Sequence, residues 1–226
     1  MKKEKFTAII LARGGSKGIK NKNLVKINKK PLIYWSIKAC LNSRLINSVW
    51  VSSDNIKILN YSKKCGAKII LRPKKYAKDN STSEIAWLHA IKFLNKQNII
   101  PINLVGVQPT SPIRKKNDID NACKKFLENS CDSLFSATAI LDRFTWKKKN
   151  NKLISNYNYS RRPRRQDISK KYLENGSFYI FNKNKFIKKK CRLFGKISFH
   201  LMSKINSFQI DDNDDIKIVN SLKNFF

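Results

Sequence analysis

Arg13-Gly14-Gly15-Ser16-Lys17-Gly18 is the first stretch of this 226-residue chain whose residue types and spacing could do chemistry. Its glycines let backbone N–H groups come close to an oxyanion, and Arg13 and Lys17 add positive charge, with Lys22 close enough in sequence to join them. This suits a triphosphate; a tight strand-to-helix turn with surface charges is the plainer alternative. The stretch lacks the Gly-x-x-x-x-Gly-Lys-Ser/Thr spacing of a P-loop and the Gly-x-Gly-x-x-Gly spacing of a dinucleotide fingerprint. A second cluster, Gln108-Pro109-Thr110-Ser111-Pro112-Ile113-Arg114, sets short polar side chains between two prolines. Prolines stiffen a loop, and stiff loops place hydrogen-bonding groups well, although an ordinary ordered loop reads the same way. Asp211-Asp212-Asn213-Asp214-Asp215 gathers four of only 15 acidic residues. Asp211, at the end of a predicted strand, is the natural ligand for Mg²⁺, which takes a few hard oxygens and keeps its waters and substrate phosphates. Asp214 and Asp215 are expected to favour the positive end of a following helix. Arg161-Arg162-Pro163-Arg164-Arg165-Gln166 reads either as a patch for an acidic ligand or as a solvated basic face. His89 and His200 are the only histidines and have no evident partners, which argues against a Ser-His-Asp hydrolase.

These clusters need elements to hold them. Thr7 to Ala12 is a short apolar run of the kind that forms a parallel strand covered on both faces. Pro31 opens a helix carrying Leu32, Ile33, Ile37 and Cys40. Val49 to Ser53 is a second strand, Asp54 is expected to cap the next helix, and that helix stops near Gly66. Ala67 to Leu71, Ile102 to Val107 and Ser133 to Thr138 are predicted strands, with helices at 81–94 and 118–128 between them. Alternation at this spacing predicts a doubly wound, mostly parallel sheet. The segment from 142 to 166 breaks the rhythm and is expected to leave the sheet as a hairpin or extended excursion. Asn175-Gly176 then reads as a turn into a core strand through Phe181. Phe199 to Ser203 reads as a small helix or edge element, Phe208 to Asp211 as a last short strand, and Asp214-Asp215 as the start of a final helix. Ligands of such sheets bind at the carboxyl ends of the strands, where Arg13–Lys17, Arg72-Pro73, Gln108–Ser111 and the start of the Asp54 helix all fall.

The bulk composition narrows the class. No apolar run reaches the length of about 20 residues that a membrane span needs. The basic, briefly apolar N-terminus reads as a first strand rather than a signal peptide, which suggests a cytoplasmic protein. Five cysteines form no Cys-x-x-Cys pair and suit a reducing compartment as mostly buried or inert thiols. Lys+Arg is 48 against an Asp+Glu of 15, a formal charge of +33 that attracts polyanions. The lysines are scattered among asparagines and isoleucines, as a global compositional drift would leave them. No zinc finger, RRM-type aromatic motif or KH-type Gly-x-x-Gly loop accompanies them.

Leu11-Ala12-Arg13-Gly14-Gly15-Ser16-Lys17-Gly18-Ile19, followed by Lys22-Asn23 and Lys30-Pro31-Leu32-Ile33, resembles the opening of the acylneuraminate cytidylyltransferases, the CMP-sialic acid synthetases. Val51-Ser52-Ser53-Asp54, Arg72-Pro73, Ala77-x-Asp79-x-Ser81, Gln108 to Arg114, Arg165-Gln166-Asp167 and Tyr172-x-x-Asn175-Gly176-Ser177-Phe178-Tyr179 follow in that family's order. The resemblance implies a nucleotide-diphospho-sugar transferase-like fold, with residues 1–226 as one cytidylyltransferase domain and a small dimerisation excursion at about 142–166. It implies transfer of CMP from CTP to the anomeric hydroxyl of an acidic nine-carbon sugar, release of pyrophosphate, a Mg²⁺ cofactor and a homodimer. By position, Arg13, Lys17 and Lys22 would face the triphosphate. Gly14, Gly15, Ser16, Asn23, Arg72 and Ser83 would contact the nucleotide. Gln108, Thr110, Ser111, Arg165 and Gln166 would serve the sugar, the last two across a dimer interface, and Asp211 would hold the metal. The sequence departs from the family at Lys20, where a proline is usual, and at Gln209, where the first aspartate of Asp-Ile-Asp is usual. Activation of legionaminic or pseudaminic acid, with GTP in one branch, is the nearest alternative. A basic nucleic-acid-binding protein and a non-catalytic partner subunit are the alternatives from other classes.

Overall fold

A computed structural model describes residues 2–16, 18–141 and 144–226, with the side chains of residues 2–4, 141 and 165 left aside. The strands are β1 (Lys2–Leu11), β2 (Lys26–Ile27), β3 (Lys30–Pro31), β4 (Ser48–Ser53), β5 (Lys68–Leu71), β6 (Ile99–Val107), β7 (Ser133–Leu141), β8 (Trp146–Lys149), β9 (Lys152–Ser155), β10 (Lys170–Asn182) and β11 (Ile197–Met202). The helices are α1 (Leu32–Leu41), α2 (Ile56–Lys64), α3 (Ser83–Lys96), α4 (Asp118–Glu128), α5 (Lys183–Lys189) and α6 (Asn213–Ser221). Seven strands form one sheet in the order β11-β7-β10-β6-β1-β4-β5, while β2-β3 and β8-β9 are separate pairs. Only β10 runs antiparallel to its neighbours, β6 and β7; all other pairings in the large sheet are parallel.

Helices cover both faces, as the near-continuous apolar runs require. On one face Ile33 and Ile37 of α1, Ile58 and Leu59 of α2 and Ile119 and Phe126 of α4 pack on Ala8, Ile10 and Val105. On the other, Trp87, Ile91 and Leu94 of α3 and Phe186 of α5 pack on Ile9, Leu104 and Phe181. Gly106 is the place where Trp87 crosses β6, and a side chain there would collide with the indole ring. A third cluster joins Ile19, Ile27, Leu32 and Ile113 to Ile210 and Val219, which brings the C-terminal segment back against the start of the chain.

Several predicted boundaries move. The cap of α2 is Asn55, whose side chain accepts from the N–H groups of Lys57 (2.8 Å) and Ile58 (3.4 Å). Asp54 is turned instead to the Gly14 N–H (2.9 Å). No turn separates residues 170–174 from 178–182. Gly176, at φ +64°, sits in an irregularity within one long strand, where pairing with β7 shifts between Glu174 and Tyr179. Phe199 to Met202 resolve as part of β11, an edge strand parallel to β7, and Ser203 lies just beyond it. Residues 208–211 are not a strand; the Ile210 N–H donates to the Thr110 carbonyl (2.8 Å) and its side chain fills the third cluster. The capping box of α6 is made by Asp212 and Asp215, while Asp214 pairs with Lys217 (2.8 Å). The predicted excursion contains the β8-β9 hairpin, and its first two residues, 142 and 143, lie outside the described residues.

Candidate active site

β1, β4 and β6 are parallel, so their carboxyl ends open on the same edge of the sheet, and the reversed β10 brings residues 175–177 to that edge. A cleft of about 500 Å³ lies there, lined by Arg13, Ser16, Lys22, Asn23, Arg72, Ser83, Gln108, Thr110 and Asp211 among others. Nine of the residues that the sequence nominated are therefore brought together from six separate segments.

The glycine loop is pinned by Asp54 at the Gly14 N–H (2.9 Å). Gly14 is needed for close approach, since a Cβ there would stand 2.8 Å from the Asn55 Cβ, whereas Gly15 faces open space. Gly18 lies against the Asp211 carbonyl, where a Cβ would meet the oxygen at 2.6 Å. Lys17 lies outside the described residues. Asn23 lines the cleft, but its side-chain amide is engaged in donating to the Arg13 carbonyl (2.9 Å), so it also shapes the loop.

The cations of the cleft differ in what they hold. Arg13 pairs with Asp79 (3.0 Å) and donates to the Lys78 carbonyl (3.3 Å). Lys22 donates to Asp211 (3.0 Å) and to the Ile210 carbonyl (2.8 Å), which ties the C-terminal segment to the loop. Arg72 is 5% exposed, and its Nε and Nη2 are buried without a hydrogen-bond partner among the described residues. Burial lowers its pKa, the Asp54 carboxylate opposes that shift, and the nearby Arg13 adds to it. A buried guanidinium with idle donors beside a polar cleft is a site made for an anion.

Some nominated residues fall elsewhere. Ser111 is fully buried and does not line the cleft, because the proline-bracketed loop turns its hydroxyl into the protein. Gln166 is exposed on a 3₁₀ turn of the excursion and does not line this cleft, and the Arg165 side chain lies outside the described residues. Gln209 does not face the cleft either: its amide donates to the Asn175 carbonyl, packed over Gly176 beside Gln108. A carboxylate could not make that donation, so the amide has a structural reason to be there.

Sequence reasoning missed Asp79 as the partner of Arg13, although it had singled out the Ala77-x-Asp79-x-Ser81 motif, and it gave no role to Arg114. It also left His200 without a partner, whereas the ring lies 3.3 Å from Asp118. His89 packs on Tyr76 of the cleft wall (5.5 Å between ring centroids), and burial, with Arg72 and Lys92 nearby, lowers its pKa. Of the five free cysteines, Cys40, Cys123 and Cys131 are buried, and burial pushes the Cys40 thiol up to about 12. These agree with inert thiols, while Cys191 is exposed.

Among the described residues no three His, Cys, Asp or Glu side chains are grouped to hold a metal. Asp211, on the cleft wall and with an exposed carboxylate, fits an ion that takes one protein oxygen and fills its shell with water and phosphate. No helix of the described residues is long and apolar enough to cross a membrane.

A mixed seven-stranded sheet with one reversed strand, helices on both faces and a cationic cleft at the carboxyl ends defines a nucleotide-diphospho-sugar transferase-like α/β enzyme fold. The solved CMP:2-keto-3-deoxy-manno-octonic acid synthetase complexed with CTP shares that fold, with a TM-score of 0.69 over 97% of this chain and 98% of that one at 14% identity. The chain belongs to the cytidylyltransferase family, whose model matches residues 7–222. N-acylneuraminate cytidylyltransferase A of Danio rerio is 35% identical over 95% of this chain, which spans 50% of that protein's length. Pseudaminic acid cytidylyltransferase of Campylobacter jejuni is 35% identical over 78% of each chain.

Proposed function

We propose that this enzyme transfers CMP from CTP to the anomeric hydroxyl of a sialic-acid-like nonulosonic acid and releases pyrophosphate. The observation that carries the reading is Arg72, buried with idle donors in the same cleft as Arg13, Lys22, Gln108 and Thr110. The sugar oxygen bonds to the α-phosphorus as the bond from that phosphorus to the bridging oxygen of pyrophosphate breaks, and the hydroxyl proton passes to solvent. Charge builds on the phosphoryl oxygens and on the leaving pyrophosphate, so fixed cations lower the barrier. In this reading Arg13, Lys17, Lys22 and Arg72 supply that charge. Gly14, Gly15 and Ser16 offer the loop's backbone, and Asn23 and Ser83 flank the nucleotide. Arg13 and Lys22 exchange Asp79 and Asp211 for phosphate oxygens. Asp211, released from Lys22, is then the residue to hold Mg²⁺, which would supply further neutralisation of the triphosphate. Gln108 and Thr110 serve the sugar.

We place the working enzyme in the cytoplasm as a homodimer joined through the excursion. Support comes from the apolar side chains exposed there, Trp146 and Leu153 on the hairpin and Tyr159 beyond it. Arg165 and Gln166 then serve a partner's cleft rather than their own, in keeping with Gln166 not being among the residues that line the cleft of one chain. The relationship to a pseudaminic acid enzyme favours a second reading in which the sugar is pseudaminic or legionaminic acid.

Pyrophosphate release with Mg²⁺, CTP or GTP and a panel of neuraminic, legionaminic and pseudaminic acids tests the reaction, its nucleotide and its acceptor. Release with CTP and one sugar supports the proposal and names the acceptor. Release with GTP alone overturns the nucleotide assignment, and silence from folded protein across the panel overturns the reaction.

A further inference from the structure

Arg114 stands just beyond the loop that carries Gln108 and Thr110 into the cleft. It makes four hydrogen bonds, to Gln108 at the other end of its own loop and to Ser36 and Ser177, which are 78 and 63 residues away. Nε donates to the Ser177 hydroxyl (2.8 Å), Nη1 to the Ser36 hydroxyl (3.0 Å), and Nη2 to the carbonyls of Gln108 (2.8 Å) and Ser177 (3.0 Å). The Gln108 N–H donates in turn to the Ser177 carbonyl (3.1 Å). The main chain of Gln108 is thus held at both its N–H and its C=O, between Ser36 of α1 and the irregular part of β10. Every acceptor is neutral. Ser36 and Ser177 are fully buried, so these bonds have no water to replace them. Burial lowers the Arg114 pKa to about 10, which still leaves the group charged at neutral pH.

A planar fork with five N–H groups spread over three nitrogens can make these four bonds at once; an ammonium, with three N–H groups on one nitrogen, cannot. We infer that Arg114 is a positioning residue for the acceptor half of the cleft. It fixes the main chain of Gln108, and through it the side chains of Gln108 and Thr110, without touching either substrate. The inference rests on the proposed reading, in which those two side chains meet the sugar while Arg13, Lys22 and Arg72 meet the nucleotide. Its effect is therefore unequal across the cleft: Arg13 and Arg72 are held by other segments, and Lys22 meets the braced loop only indirectly, through Ile210.

Arg114→Lys keeps the charge and loses the fork. Steady-state pyrophosphate release, with sugar and CTP varied in turn, is expected to show the KM for the sugar raised about tenfold, with the KM for CTP within about twofold of the parent. Ser177→Ala removes one acceptor and leaves the charge in place, and it carries the same test if the lysine variant does not fold; a smaller rise confined to the sugar is expected. Equal rises in both KM values, or a fall in kcat with both unchanged, would overturn the inference. The parent enzyme's turnover is measured first, so that failure of the reaction is told apart from failure of the brace.

Discussion

Arg72 enters the cleft from the end of β5 with Nε and Nη2 buried and unpartnered, and Arg72→Met separates what that arrangement does for the fold from what it does for substrate. In the free enzyme an unsatisfied, charged donor costs about 1–3 kcal/mol. Methionine is of comparable length, apolar and adaptable enough to occupy the same channel. Removing the guanidinium is therefore expected to stabilise the free protein by about 1 kcal/mol, or a rise of roughly 2–4 °C in Tm for a chain of this size. With nucleotide bound the sign reverses. A hydrogen bond to a charged group contributes about 1.5–3 kcal/mol, so its loss is expected to lower kcat/KM for CTP by roughly 10- to 150-fold. A thermal scan of ligand-free protein beside a CTP titration of pyrophosphate release reads both numbers. A variant several degrees less stable, or one with an unchanged response to CTP, would refute the reasoning and make Arg72 a structural anchor.

Three further outcomes are expected. Asp211→Asn should raise the Mg²⁺ concentration for half-maximal rate by about tenfold and leave Tm nearly unchanged, because its ion pair with Lys22 is largely solvated on the Asp211 side. Burial alone would raise the Glu84 carboxyl, yet bonds from Arg192 (2.6 and 3.1 Å) and from its own backbone bring it below the ordinary range. The stabilisation is thus present above the unfolded value of about 4.3 and lost as pH falls through the lower folded value, so Tm of Glu84→Gln should fall less steeply in acid than the parent's. Gly106→Ala forces a methyl into the Trp87 ring and should cost about 1–3 kcal/mol in a urea titration.

The central strands were legible because a strand buried on both faces must be a short apolar run, and Thr7 to Ala12 and Val49 to Ser53 are such runs. The path of 208–211 was not. Phe208 and Ile210 alternate like strand residues, but their apolar partners include Val219 of α6, Ile113 and Ile19, Ile27 and Leu32 near the start of the chain, which no local pattern reveals. Asn175-Gly176 carries the usual signal of a turn, and its positive φ is real, but the chain uses it to bend one strand rather than to join two. Asp54 and Asn55 are both good cap residues; the choice between them depends on Gly14, 40 residues away. The candidate site divides along the same line. Glycines, prolines and clustered charges mark where the chain approaches a ligand. The pairing of Arg13 with Asp79 and the reach of Arg114 across α1 and β10 exist only once distant segments meet.

The sparse acids of this chain have a consequence of their own. Asp54 holds the glycine loop, Asp79 and Asp211 hold the cleft's cations, Glu84 holds Arg192, Asp118 faces His200, and Asp212 with Asp215 starts α6. In an ordinary protein a carboxylate says little, because many serve only to keep the surface wet. Here lysine has taken over that duty, and these aspartates and glutamates are fasteners, Asp79 and Asp211 of the cleft and the others of the fold. Charge reversal at those few positions should therefore be tolerated far less than at the exposed lysines outside the cleft, and a survey of viable variants would trace the same framework.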